Sequence, residues 1–291
     1  MNIGFHVNSN RDIGMKCAYG AAQSVLKYGG VPVFRVTDEP LFEGDTTGFV
    51  FADFNKADID VMISIGGDGT FLAMISQWRH LDCDFAGINK GSIGFLTQID
   101  ADDVDGRIHD LIDGNYSIIR RSQLLVEVYS KDNELRGRDI CFNDCSISRG
   151  EKLHITKLLL KIDGQVVERY YGDGLVIATA TGSTAYSLAA GGPLLMPDMR
   201  DIIITSVCSH TLHNISYVIG EHNKVEVIIE DFETAPVICP DGRDFIKPEP
   251  EDRVVLSLYE KTVNTINFDR NRFFSDIRHK IIQRGSFYEN G

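Results

Sequence analysis

Val61-Met62-Ile63-Ser64-Ile65-Gly66-Gly67-Asp68-Gly69-Thr70 opens as a short apolar run and closes as a glycine turn. Apolar residues unbroken up to Gly-Gly are the pattern of a strand covered on both faces, as in a parallel sheet. Residues 71–78 follow as a helix. Glycines at such a turn let the backbone approach a ligand with no Cβ in the way. Successive N–H groups ahead of a helix form a concavity for anions. Asp68, between the glycines, has two readings at this point. It is a cap for the helix 71–78, or a carboxylate that faces a hydroxyl nucleophile as a base or through magnesium.

Working outward, residues 3–7, 31–36 and 84–88 read as strands, and 15–28 and 101–113 as helices, the first stopped by Gly29-Gly30. The stretch 42–55 is less regular. Strands alternating with helices predict a parallel sheet with helices on its faces. Beyond residues 117–122 the pattern changes to short strands: 124–129, 157–162, 165–170, 174–179, 202–207, 225–230, 236–239 and 253–259. Asp163-Gly164 between two of them is a hairpin turn. This half reads as an antiparallel sandwich, and 270–284 reads as helix again.

A chain of 291 residues with 43% hydrophobic and 24% charged residues has the means to build two cores. Its net charge of -13 excludes a general nucleic-acid binder and an anionic-membrane binder, both of which need a positive field. The six cysteines include no C-x-x-C pair, so buried free thiols in a reducing compartment are expected. No basic-then-apolar leader and no run of ~18 apolar residues occurs, so the cytoplasm is the expected address.

Several further segments carry candidate chemistry. Gly172-Asp173-Gly174 precedes a strand, and Thr179-Ala180-Thr181-Gly182-Ser183-Thr184-Ala185-Tyr186 follows it. The hydroxyl run makes a turn dense in donors and acceptors, or a Ser/Thr-capped helix start. Asn143-Asp144 suits a ribose diol, or else a turn or a solvated edge. Gly87-Ile88-Asn89-Lys90-Gly91-Ser92-Ile93-Gly94-Phe95-Leu96 reads as strand, glycine loop and aromatic, with Phe95 in the core when taken alone. Asp241-Gly242 reads as a hairpin turn, and His210-x-x-His213 as structural histidines. There is no G-x-x-x-x-G-K-[ST] and no G-x-G-x-x-G after the first strand, which excludes a Walker site and a dehydrogenase fingerprint.

In this order, from about Val61 to about Gly242, the segments resemble the NAD kinase family. The Gly-Gly-Asp-Gly-Thr loop alone is shared with lipid kinases and phosphofructokinases. The blocks Gly94-Phe95-Leu96-Thr97 and Thr181 through Tyr186 are specific. The resemblance implies a Rossmann-like α/β domain over 1–118, joined by a returning segment 269–291, and an all-β sandwich domain over 119–268, with the active site between them. It implies that Asp68 orients or deprotonates the ribose 2′-hydroxyl of NAD, and that Gly66, Gly67, Gly69 and Thr70 cradle the ATP phosphates. Phe95 is implied as an adenine-side contact, Asn143 and Asp144 as adenosine and ribose ligands, and Asp173 as a nicotinamide-side contact. Thr184, Ala185 and Tyr186 are implied as the nucleotide-binding turn. Magnesium or another divalent cation would bridge donor phosphates, with no protein metal ligand assigned. A homodimer or homotetramer is implied. The family commonly has glutamate where Asp144 stands, proline where Ala180 stands, and prolines at Ser206 and Ser209. Asp68→Asn is expected to fold normally and to lose most activity.

Overall fold

All six residues of the strand Val61–Gly66 are buried, as its unbroken apolar run requires. It pairs in parallel with Asn2–Val7 on one side and Asp84–Asn89 on the other. The computed structural model describes residues 1–91, 94–151, 154–210, 215–269, 273, 274 and 277. The chain divides into two units, Met1–Ile119 with Val263–Gly291, and Arg120–Thr262.

In the first unit the sheet runs Val50–Ala52, Val31–Arg35, Asn2–Val7, Val61–Gly66, Asp84–Asn89, Val263–Asn267, Ser117–Arg121, with Ile99–Asp100 paired to Asp84–Asn89. By chain position the first five strands have the order 3-2-1-4-5, so the winding reverses between Asn2–Val7 and Val61–Gly66. Ligands of open parallel sheets bind outside the carboxyl ends of the strands at that reversal. Gly66-Gly67-Asp68 lies at one of those ends and Asn8 at the other. The helices Lys16–Lys27 and Val104–Ile112 bury Ala18, Ala21, Ala22, Val25, Ile108 and Leu111 in the core that holds Ile3, Phe5, Ile63 and Ile65.

The second unit consists of two antiparallel sheets. One runs Tyr217–Gly220, Asp201–Val207, Gly174–Thr179, Asp144–Ser148, Val237–Pro240. The other runs Gln165–Gly172, Thr156–Ile162, Val225–Ile229, Arg253–Leu258, Leu124–Tyr129, Leu135–Cys141. Alternate residues such as Leu124, Val126 and Val128 of one sheet and Ile147, Leu175 and Ile177 of the other share one core. Asp163 (φ 50°) and Gly164 (φ 78°) make the expected hairpin turn, with both central residues left-handed.

Five details differ from the sequence reading. The helix expected from residue 71 starts at Asp68. The helix expected over 101–113 is a 3-10 turn, Ala101–Asp103, followed by Val104–Ile112. Leu135–Cys141, Tyr217–Gly220 and Val263–Asn267 are strands that the pattern did not mark; each is short or polar and takes its shape from neighbouring strands. The return to the first unit starts at Val263 rather than 269, because Val263–Asn267 pairs in the first sheet. Only Cys141 and Cys145 are buried, and Cys208 is exposed because it follows the last residue of its strand in a left-handed turn (φ 47°). The stretch 270–284, apart from Phe273, Phe274 and Ile277, lies outside the described residues, as do Ser92, Ile93 and His213. No described helix is long and apolar enough to cross a membrane.

Candidate functional site

Gly67 is the N-cap residue of the helix Asp68–Trp78 and offers no side chain to cap it. Asp68 is the first helical residue, so the capping reading of its carboxylate is wrong. Its side chain turns instead to the segment after Asp84–Asn89. Oδ2 accepts the N–H of Phe95 at 2.7 Å; Oδ1 accepts the N–H groups of Leu96 at 3.0 Å and Thr97 at 3.3 Å. The Thr97 hydroxyl stands at 3.5 Å from Oδ1. A carboxylate has about four lone-pair sites, so three amides leave one, on Oδ2.

The three loop glycines have different surroundings. A Cβ on Gly66 would lie 2.7 Å from the Cβ of Thr70 and closer still to its hydroxyl. That glycine is required by the turn itself. A Cβ on Gly67 or Gly69 would meet no atom within 4 Å. Thr70 is buried, and its hydroxyl accepts from the Asn8 amide at 3.3 Å, across the reversal point of the sheet. Phe95 is half-buried rather than a core residue.

Asp12 and the lysine side chain beside this loop carry no mark in the local sequence. Asp12 is fully buried; it accepts the N–H groups of Cys17 and Ala18 and pairs with Lys90 at 2.7 Å. Lys90 in turn donates its own N–H to Gly66 O at 2.7 Å. The signal for this pairing was absent from local sequence, because the partners lie 78 residues apart.

In the second unit Asn143 and Asp144 are 9% and 7% exposed, which overturns the solvated-edge reading, while Asn143 does lie in a bend. The Asn143 side-chain oxygen is buried without a hydrogen-bond partner. A buried unpaired polar atom costs free energy comparable to a lost hydrogen bond, so this atom is suited to an incoming donor. Asp241 organises the segment. Its carboxylate accepts the N–H groups of Phe142 at 2.8 Å, Asn143 at 2.7 Å and Asp144 at 3.4 Å. Asp241-Gly242 is a turn, as expected, with φ 47° and 71°, yet its side chain serves residues almost a hundred positions away. Burial, then the neighbouring Asp241 carboxylate, push Asp144 up to about 7, against a hydrogen bond from the Tyr186 backbone. Burial also raises Asp241, against the N–H groups it accepts.

The hydroxyl-rich run forms a 3-10 turn, Thr181–Thr184, and a short helix, Tyr186–Ala189, neither capped by a side chain. Thr179 knits this turn to Asn143: its N–H donates to Asn143 O at 2.9 Å, its hydroxyl donates to Phe142 O at 2.8 Å with Asn143 O at 3.2 Å, and its hydroxyl oxygen accepts the Gly182 N–H at 3.1 Å. Ala180 has φ -57°, a value that proline would impose, so the turn keeps its shape without one. Thr184 is buried, whereas Tyr186 is 41% exposed. The structure thus gathers Asn143, Asp144, Thr184, Ala185 and Tyr186. Asp173 is placed elsewhere in this unit, paired with Arg149 at 3.0 Å, a partner not singled out from sequence.

Among the described residues no three His, Cys, Asp or Glu side chains come together as a metal cage. The described residues thus offer no three-ligand cage to a resident divalent cation.

A family model described as the ATP-NAD kinase N-terminal domain matches residues 9–116, and one described as the ATP-NAD kinase C-terminal domain matches 142–268. An NAD kinase of Ruminiclostridium cellulolyticum is 33% identical over 283 residues, covering 97% of this chain and 98% of its own. An NAD kinase of Clostridium beijerinckii is 32% identical over 282 residues, covering 97% and 95%. The crystal structure of yeast NADH kinase complexed with NADH has the same fold, with a TM-score of 0.87 at 20% identity, covering 100% of this chain and 90% of its own. So does an NAD kinase from Archaeoglobus fulgidus in complex with ATP, with a TM-score of 0.73 at 19% identity, covering 97% and 99%.

Proposed function

The chain belongs to the ATP-NAD kinase family, and from that premise we propose that it transfers the γ-phosphoryl group of ATP to the 2′-hydroxyl of the NAD adenosine ribose. The observation that carries the reading is that both halves of the family occur in one chain, in order, with Asp68 and its glycines intact. Gly67 and Gly69 border open space at the sheet's reversal point, which supports a phosphate cradle there with Gly66 and Thr70 as its frame. Asn143 and Asp144 take the adenosine and ribose groups, and the unpaired oxygen of Asn143 supports this. Phe95 and Tyr186 offer partly exposed rings to bases. Thr184 and Ala185 shape the nucleotide turn, and Asp173 contacts the nicotinamide side.

Phosphoryl transfer is mainly positioning and charge neutralisation. Asp68 has one lone pair left for the ribose hydroxyl, enough to orient it in line with the γ-phosphorus and to take its proton as the bond forms. The divalent cation of this reading would arrive on the donor phosphates, since the described residues offer no cage for it. A homodimer or homotetramer in the cytoplasm completes the proposal.

The test is NADP formation from NAD, ATP and magnesium, followed with an NADP-specific dehydrogenase. Asp68→Asn should lower turnover by ~10²–10⁴-fold. The substitution is less clean than the sequence suggested. An amide NH₂ would face backbone N–H groups where a carboxylate oxygen now accepts them, so residues 94–97 should loosen while the unit stays folded. Wild-type turnover by this variant would sink the role given to Asp68. Absence of NADP with the parent protein, while NAD binds by calorimetry, would make it a dinucleotide sensor.

A further inference from the structure

Three backbone amides converge on Asp68 from a single turn, Phe95, Leu96 and Thr97, with the Thr97 hydroxyl beside them. Hydrogen bonds from N–H groups to a carboxylate are charge-assisted and about twice as strong as neutral ones. The turn can approach this closely because residue 94 is glycine: a Cβ there would stand 2.9 Å from the Asp68 Cγ and closer to Oδ1. We infer that Gly94, Phe95 and Thr97 are positioning residues, whose turn clamps the Asp68 carboxylate in one rotamer and leaves one lone pair of Oδ2 for the acceptor hydroxyl. This rests on the proposed role of Asp68 and deepens it.

The clamp also joins two events. The ring of Phe95 is half-buried, and its N–H makes the shortest bond to Asp68, 2.7 Å. A base resting on that ring immobilises the residue whose amide holds the carboxylate. Binding on the adenine side and orientation of the reacting hydroxyl are thereby coupled through one residue. Without the clamp Asp68 would sample several rotamers, and the hydroxyl would lose its alignment with the phosphorus.

Four variants test this: Gly94→Ala, Phe95→Ala, Thr97→Val and Thr97→Ser, each measured for kcat, KM for NAD, KM for ATP and Tm. Gly94→Ala displaces the carboxylate and should lower kcat by about 10²-fold while KM for ATP stays near the parent. Phe95→Ala keeps the N–H and loses the ring, and should raise KM for NAD and lower kcat together; a change in KM alone overturns the coupling. Thr97→Val keeps the shape and loses the hydroxyl. It should lower kcat several-fold, and Thr97→Ser should restore it. If Gly94→Ala fails to fold, the Thr97 pair decides: equal kcat for valine and serine overturns the inference. Parent-like kcat in folded Gly94→Ala, with Asp68→Asn inactive, overturns the clamp and leaves the role of Asp68 standing. Parent-like turnover in Asp68→Asn removes both.

Discussion

Gly182 lies against the backbone of Asn143, and adding one methyl group there should disable the enzyme without touching a charged group. A Cβ on Gly182 would stand 2.6 Å from the carbonyl carbon of Asn143 and 3.0 Å from its Cα, and closer to the carbonyl oxygen. Real Cβ atoms are essentially never found under 3.0 Å from such a neighbour. The carbon alone therefore demands a shift of about 0.4 Å, and the oxygen demands more. No flexible side chain can absorb this, because the obstacle is backbone fixed by Asp241 and Thr179. Overpacking of this kind costs about 1–3 kcal/mol of stability. A misplacement near 1 Å costs about 10²-fold in rate, so kcat/KM for NAD should fall at least about tenfold, roughly 1.4 kcal/mol in transition-state binding. The assay is NADP formation against NAD concentration, beside thermal denaturation. Gly20→Ala is the control. It lies in the helix Lys16–Lys27 with no atom within 4 Å of a new Cβ, and should keep full activity with stability raised by up to about 1 kcal/mol. Unchanged kcat/KM and Tm in Gly182→Ala would refute the claim that the turn Thr181–Thr184 registers on Asn143.

Two pH effects follow from buried groups. His6, buried and accepting from the Trp78 indole at 3.2 Å, is held down to about 4 by burial and by Arg35. The unfolded chain binds that proton near 6.5, so stability is full above pH 6.5 and falls as pH drops toward 4, by about 3 kcal/mol in all. His6→Asn, which keeps an acceptor but cannot charge, should flatten that slope in urea titrations at pH 7.5 and 5; equal slopes would count against it. Asp144 has the opposite sign. Its folded-state value of about 7 lies above the unfolded 3.8, so stability is lost as pH rises across that window. Asp144→Asn should therefore stabilise the protein more at pH 8 than at pH 5, and a gain independent of pH would show that burial of the charge is not the cause.

The Asp144–Asp241 pair illustrates a cost that the site accepts. Asp144 is buried and Asp241 half-buried beside it; burial raises both, and the Asp241 carboxylate raises Asp144 further, an arrangement retained where function needs it. Asp241 holds three N–H groups of the strand entrance, and Asp144 beside it is the carboxylate offered to the ribose in the proposed complex.

Much was legible in the linear order of residues. The unbroken run 61–65 could only be a strand covered on both faces, and Gly66-Gly67 after it only a sharp exit. Alternation of apolar and polar residues marked Leu124–Tyr129 and the Asp163-Gly164 hairpin, since period and turn chemistry are local properties. The glycine loop and the Thr181 to Tyr186 block were visible for the same reason. Other features were not in any local window. Val263–Asn267 is five unremarkable residues that become a strand only beside Asp84–Asn89. Asp68 takes its partners 27 to 29 residues away, Lys90 finds Asp12 at 78, and Asp241 reaches Asn143 at 98. Periodicity reports how a segment meets its immediate neighbours and one buried face. Which carboxylate receives which amide depends on where the chain returns in space, and only the assembled sheets and turns decide that.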